Sequence, residues 1–320
     1  MGQLPKERLI PGPPFDKTGV DYAGPFTIKD KKGRGAKHSK CYICLFVCFA
    51  TKAVHLELVT ELSKDAFILA LKRFVSRRGR PTQIFSDNGT NFVSAASELK
   101  LLGKFLAKHE RSITESASLE NIDWKFIPPH SPHFGGLWEA GVKSSKHHLR
   151  RVLGKTSLTF EELYTLIVQV EAVLNSRPLF PMSNDPNDLH PITPAHFLIS
   201  RPCTTLPEPD LREVPVNRLS RFQLISKLRR DFWVRWQKEY LSELQQRTRW
   251  KKNCGSLRCG SLVLIKDDNL PPQKWKLGRI VTLHPGSDNI ARVATIRTSG
   301  GDVKRSFSKI CPLPISDSHY

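Results

Sequence analysis

The period of apolar and polar positions changes several times along the 320 residues. Over residues 17–60 it is strand-like. Gly19 to Ile28, Cys41 to Thr51 and Ala53 to Val59 read as three strands, and Lys29-Asp30-Lys31-Lys32-Gly33-Arg34-Gly35 reads as a hairpin turn. After Ser63 the period lengthens. Ala66, Leu69, Ala70 and Phe74 predict a helix capped by Ser63 and stopped by Gly79 and Pro81. Thr82 to Ser86 is a fourth strand, ending at Asp87. Asn91 to Lys108 is a helix with Leu99, Leu102, Phe105 and Leu106 on one face. Trp124 to Ile127 is a fifth strand, and Pro128 to Gly136 is a loop. Leu137 to Leu153 and Phe160 to Ser176 are helices. This order predicts an α/β layer fold with a mixed five-stranded sheet flanked by helices.

The remainder reads differently. Residues 177–217 are Pro-rich and irregular, with one helical turn at Pro194 to Ile199. From Leu219 to Arg249, Phe222, Ile225, Leu228, Phe232, Trp236, Tyr240 and Leu244 recur every three or four residues, predicting a long amphipathic helix. Over 257–315 short apolar runs (261–265, 278–283, 293–297 and 306–308) predict a small all-β barrel. The expected organisation is an extended lead-in (1–16), a first domain (17–200), a Pro-rich linker (201–218), a helix (219–250) and the basic barrel (257–315).

Charge changes the picture. Net charge is +20 and the pI is near 9.8, which points to an anionic partner. Residues 201–320 carry 23 Lys and Arg against 11 Asp and Glu; residues 1–200 carry 27 against 19. The shorter part is the more basic per residue, which suits DNA-backbone binding. No apolar run approaches the roughly 20 residues of a membrane span, so no membrane partner is expected. Residues 1–9 contain no signal-peptide core. Seven cysteines without an export signal are expected as reduced thiols. Cys41, Cys44 and Cys48 fall in a strand and read as packing.

Three acids stand in unlike settings. Asp21 lies in Thr18-Gly19-Val20-Asp21-Tyr22-Ala23-Gly24-Pro25-Phe26 and Asp87 in Phe85-Ser86-Asp87-Asn88-Gly89-Thr90-Asn91-Phe92. Glu139 lies in Phe134-Gly135-Gly136-Leu137-Trp138-Glu139. Two follow strand-like runs, and the third opens a helix. Carboxylates gathered from strand ends and a facing helix suit a pair of hard cations, Mg2+ or Mn2+, and phosphoryl transfer. Each also has a plainer reading: a strand end, a turn former, a residue favoured by a helix dipole.

Those phrases, with Pro128-Pro129-His130-Ser131-Pro132-His133-Phe134-Gly135-Gly136 and Asn175-Ser176-Arg177-Pro178-Leu179, resemble the integrases of long-terminal-repeat retrotransposons, most closely the BEL/Pao group. The resemblance covers most of the chain. It implies an RNase H-like core over 17–200, with Asp21, Asp87 and Glu139 as catalytic and metal-binding residues for two Mg2+ or Mn2+ ions. The implied reaction is metal-dependent 3′-end processing and strand transfer, inserting element DNA into host DNA. It implies double-stranded DNA as partner, a homo-oligomer, contact with chromatin and action in the nucleus. Fifty-one residues separate Asp87 from Glu139, more than in retroviral integrases. The family's His/His/Cys/Cys zinc domain is missing from this sequence, which therefore reads as a fragment of a polyprotein or a frame opened at an internal Met.

Lys143 and Lys146 follow Glu139 by four and seven residues, on one helical face. The resemblance makes them DNA-end contacts, with His147 and Arg150 extending the basic surface. Asn88 and Asn91 are expected to orient Asp87 or touch DNA, and Gly135 and Gly136 to hinge the loop. Arg258, Lys266, Lys274, Lys276, Arg279, Arg292, Arg297, Lys304 and Arg305 are expected to follow a DNA backbone. Two rival readings stand: a catalytically inactive or co-opted DNA- or chromatin-binding relic, and another RNase H-like transposase or nuclease.

Overall fold

The computed structural model describes residues 12–87, 89–109, 122–126, 136–154, 156–209, 211, 214–215, 218–245, 257–288 and 290–313; the side chains of 101–109, 136–143 and 145 lie outside that description. The chain divides into two compact units, residues 1–171 and 172–320.

In the first unit β1 (Lys17–Lys29), β2 (His38–Cys48) and β3 (Val54–Val59) form an antiparallel meander. α1 (Lys64–Arg78) leads to β4 (Gln83–Ser86), and α2 (Thr90–His109) precedes β5 (Asp123–Phe126). β4 lies parallel to β1 and β5 parallel to β4, giving the order β3-β2-β1-β4-β5. α3 (Gly136–Leu153), the two-residue β6 (Leu158–Thr159) beside the end of β1, and α4 (Phe160–Asn175) follow. The mixed five-strand path with flanking helices agrees with the pattern of the sequence.

Local chemistry explains the boundaries. Ser63 Oγ accepts from Ala66 N at 3.1 Å and opens α1. Gly79, at φ +88°, ends it in a conformation that a side chain would strain. The buried face of α1 is Phe67, Ala70, Leu71 and Phe74; Leu69, expected there, is 55% exposed. Phe74 stacks on Phe46 of β2 with centroids 4.2 Å apart. Cys41 and Cys44 are both buried in β2. Three residues apart on a strand, they point to opposite faces, and burial pushes the Cys41 thiol up to about 11.

The second unit opens with the short hairpin β7 (Phe180–Pro181) and β8 (Pro191–Ile192), then α5 (Pro194–Ile199). α6 (Arg221–Leu244) starts from a capping box in which Ser220 and Gln223 exchange side-chain and backbone hydrogen bonds. Its buried face is Leu224, Leu228, Phe232, Trp233, Trp236 and Leu241, while Phe222, expected in the stripe, is 66% exposed. β9 (Leu262–Ile265), β10 (Leu277–Pro285), β11 (Ala291–Thr298), β12 (Gly301–Ser306), a 3-10 turn at Phe307–Lys309 and β13 (Ile310–Pro312) complete the unit.

These last strands do not make the expected barrel. They form an open sheet, β12-β11-β10-β9-β13, whose edge strands β12 and β13 do not pair among the described residues. The run 306–308, read as strand, is mostly the 3-10 turn that carries the chain from one edge to the other. Alternating apolar positions are common to open and closed sheets, so the alternation that suggested a barrel does not specify closure. β9 is buried on both faces. Leu262 and Leu264 pack with Leu241 of α6, and Val263 and Ile265 pack with Ile280, Ala294 and Ile296.

Candidate active site

The first unit places Asp21 and Asp87 through the parallel pairing of β1 with β4, in the middle of the sheet. Lys17, Thr18 and Gly19 of β1 lie opposite Gln83, Ile84 and Phe85 of β4. The ladder ends at Gly19 and Phe85, and each acid follows that end by two residues, Asp21 within β1 and Asp87 just past β4.

Asp87 begins the turn into α2. Its Oδ1 accepts from Gly89 N at 3.0 Å. A Cβ at position 89 would meet Asn91 Oδ1 at 2.9 Å and Asp87 Oδ1 at 3.0 Å, so a side chain there would displace one of those two oxygens. Buried Ser86 fixes the strand end: its Oγ donates to Asp87 O and accepts from Trp124 Nε1, each at 2.9 Å. Asn91 is half-buried in the first turn of α2, where Phe92 stacks on Tyr22 at 5.3 Å between centroids. Ser86, Trp124, Tyr22 and Phe92 position the acids and were not singled out from the sequence. Ser86 and Phe92 sit inside the recognised phrase, but their partners are set by strand register.

α3 supplies the facing cations. Lys146 Nζ lies 2.6 Å from Asp21 Oδ2, and Arg150 Nη2 donates to Gly24 O at 2.6 Å. The Gly24 backbone, at φ +148°, sits at a bulge in β1, and a Cβ there would strike the Tyr42 ring at 2.6 Å. Positions 146 and 150 are one turn apart, so this α3 stripe faces β1. Lys143 and Glu139 fall on α3 about one and two turns before Lys146, with their side chains outside the described residues. Asn88 and Gly135 also lie outside them, and Gly136 is the first residue of α3. His147 is exposed.

Among the described residues, no group of three or more His, Cys, Asp or Glu is placed to hold a metal ion. Asp21 and Asp87 stand on the adjacent strands β1 and β4 or at their ends, and carboxylate oxygens of this kind fit a hard divalent cation. In the second unit, several cations expected to follow DNA are otherwise engaged. Arg292 pairs with Asp288 at 2.6 Å and Lys276 with Asp267 at 3.0 Å. Arg279 is buried and donates to the carbonyls of Ser183, Asp188 and Gly260.

A family model described as "Family of unknown function (DUF5641)" matches residues 220–313. No curated protein matches the chain. Among solved structures, the chain is similar to one in the cryo-EM structure of the simian T-cell lymphotropic virus intasome in complex with PP2A regulatory subunit B56 gamma. The identity is 14% and the TM-score 0.40, over 99% of this chain and 85% of that one. It is also similar to the HTLV-2 integrase catalytic core domain in complex with magnesium (dimeric form), at 20% identity and TM-score 0.33, over 51% of this chain and 88% of that one. The relationship to retroviral integrase catalytic cores is remote. At these values it carries no argument, and the functional reading rests on the chain's own residues.

Proposed function

We propose that the chain is a metal-dependent polynucleotidyl transferase acting on double-stranded DNA, an integrase of the BEL/Pao retrotransposon type. The observation that carries the reading is the parallel β1–β4 pairing that leads into Asp21 and Asp87, with Lys146 of α3 reaching the Asp21 carboxylate. The ordered phrases around Asp21, Asp87 and Glu139 support it.

Asp21, Asp87 and Glu139 would hold two Mg2+ or Mn2+ ions. Bound there, the ions supply activation of the attacking oxygen and neutralisation of charge on the phosphate. The chain's own groups position the reactants. Asp21 and Asp87 orient the attacking oxygen along the strand ends, and Lys146 and Arg150 hold the phosphate backbone beside them. In end processing, water adds to phosphorus and the P–O3′ bond breaks, freeing a 3′-hydroxyl. In strand transfer that hydroxyl oxygen attacks a target phosphorus and displaces a new 3′-oxygen; the proton moves from attacker to leaving oxygen through solvent. Action on chromosomal DNA places the protein in the nucleus, as an oligomer that holds two DNA ends.

The test is incubation with Mn2+ and a labelled duplex ending in the terminal repeat of the encoding element, beside a Glu139→Gln variant. Strand-transfer products that vanish in the variant are expected. Binding without products, equal in both proteins, sinks the enzyme reading and leaves a DNA-binding relic.

A further inference from the structure

We propose that the β1–β2 hairpin is a separate DNA-contacting arm, which takes the phosphate backbone of a duplex whose end lies at Asp21 and Asp87. The inference deepens the reading above and rests on it for the placement of the DNA end.

Residues 29–40 hold Lys29, Lys31, Lys32, Arg34, Lys37 and Lys40 against one acid, Asp30. That acid is engaged in closing the turn. Its Oδ1 accepts from Lys37 N at 2.9 Å, and its own N donates to Lys37 O at 3.1 Å. Lys32 comes within 3.8 Å of Glu162 and stays 68% exposed. Among the described residues, Lys31, Arg34, Lys37 and Lys40 form no ion pair, and all four are exposed. Elsewhere in this unit cations find carboxylates: Arg73 and Arg77 with Glu57, Arg78 with Glu171, and Lys64 with Glu98. The hairpin thus concentrates positive charge that the fold itself leaves uncompensated. Such charge destabilises the compact state through self-repulsion and is relieved by an anion.

The arm is held in place. The β1–β2 ladder runs out to Lys29 opposite His38, and β6 flanks β1 at Ile28 and Lys29. It is also continuous with the candidate active site. Lys146 sits at Asp21, and Arg150 at Gly24. A groove of about 520 Å³, lined in part by Phe26, His38, Arg150 and Leu153, then joins α3 to the base of the hairpin. From Asp21 to Lys29 is about 26 Å of strand, the length of about eight nucleotides of a duplex strand. Protein interfaces have an apolar core, and residues 29–40 contain no large apolar side chain. A line of cations without such anchors fits phosphates, which position a duplex without specifying its sequence.

The experiment measures binding of a fluorescent duplex against salt concentration, in EDTA and on the Glu139→Gln background, so that chemistry does not enter. The triple variant Lys31→Gln/Arg34→Gln/Lys37→Gln is compared with Lys31→Arg/Lys37→Arg. Each lost phosphate contact lowers the slope of log K on log salt by about 0.9, so the Gln variant loses about 2.7 units if all three sites contact DNA, and affinity on the order of 10²-fold at 0.1 M salt. The Arg variant keeps the slope. A slope and affinity unchanged by the Gln substitutions overturn the inference, as does a Gln variant that loses poly-glutamate binding but keeps the duplex. A chain that yields no strand-transfer products but shows the hairpin-dependent slope keeps the arm and loses the enzyme. Products with a hairpin-indifferent slope do the reverse.

Discussion

Lys146 Nζ lies 2.6 Å from Asp21 Oδ2, with both side chains about a quarter exposed. The ammonium therefore occupies a carboxylate oxygen that the proposed reaction assigns to a divalent cation. A lysine in that position neutralises Asp21, and it has to yield when a more highly charged ion binds there.

Lys146→Met is expected to tighten Mn2+ binding. A partly exposed pair of this kind contributes up to about 1 kcal/mol, so the gain is roughly fivefold. Calorimetric titration of both proteins checks it. An equal or weaker affinity in the variant sinks the competition between lysine and metal.

Ser86→Ala removes the acceptor of Trp124 Nε1 and the donor to Asp87 O together. Leaving a buried donor unmet costs about 1–3 kcal/mol. The expected outcome is a lower denaturant midpoint with a weakened Mn2+ response, because the strand end that carries Asp87 loosens. A variant with the wild-type midpoint would show that Trp124 finds another acceptor.

Much of the first unit was legible in the sequence. Ser63, Gly79 and the strand runs act through nearest neighbours, so their effects are local and readable. The ion pair between Lys146 and Asp21 was not, because it depends on how α3 lies along β1, over 125 positions of chain. Phe222 and Leu69 fit a helical stripe on paper and emerge exposed, since a period shows which residues share a face but not how wide a face the neighbours cover. Open sheet and barrel share one alternation. Arg279 looked like a surface cation because no local pattern marks an arginine destined for three backbone carbonyls.

Gly24→Ala is expected to destabilise the first unit. The new Cβ would meet Tyr42 Cδ1 at 2.6 Å and Cys41 O at 3.2 Å, at a φ of +148°. Overpacking of that kind costs about 1–3 kcal/mol. It also shifts the carbonyl that receives Arg150. Urea unfolding measures the loss, and an unchanged midpoint would mean that the bulge relaxes.

Stability of the first unit should peak in mildly acid solution. His55 and Glu57, buried side by side in β3, meet Glu171, Arg73, Arg77 and Arg78 from α1 and α4. Burial pushes His55 down, but hydrogen bonds to Glu171 and Glu57 with the charge of Glu171 outweigh it and hold the imidazole above its ordinary 6.5. Burial pushes Glu57 up, but hydrogen bonds from His55 and Arg73 with their charges outweigh it and hold the carboxyl below its ordinary 4.5. A raised histidine stabilises fully below 6.5 and loses that contribution as pH climbs through its folded value. A lowered carboxylate stabilises above 4.5 and loses it as pH falls through its folded value. Both are present together between those two ordinary values. His55→Gln should flatten the alkaline limb of a midpoint-against-pH curve and also weaken the acid limb, since His55 is among the groups that hold Glu57 down. Glu57→Gln strands Arg73 and Arg77, which are 40% and 44% exposed, so the loss falls to about 2–3 kcal/mol, short of what a fully buried pair gives. An alkaline limb that persists in His55→Gln would assign the decline to a different group.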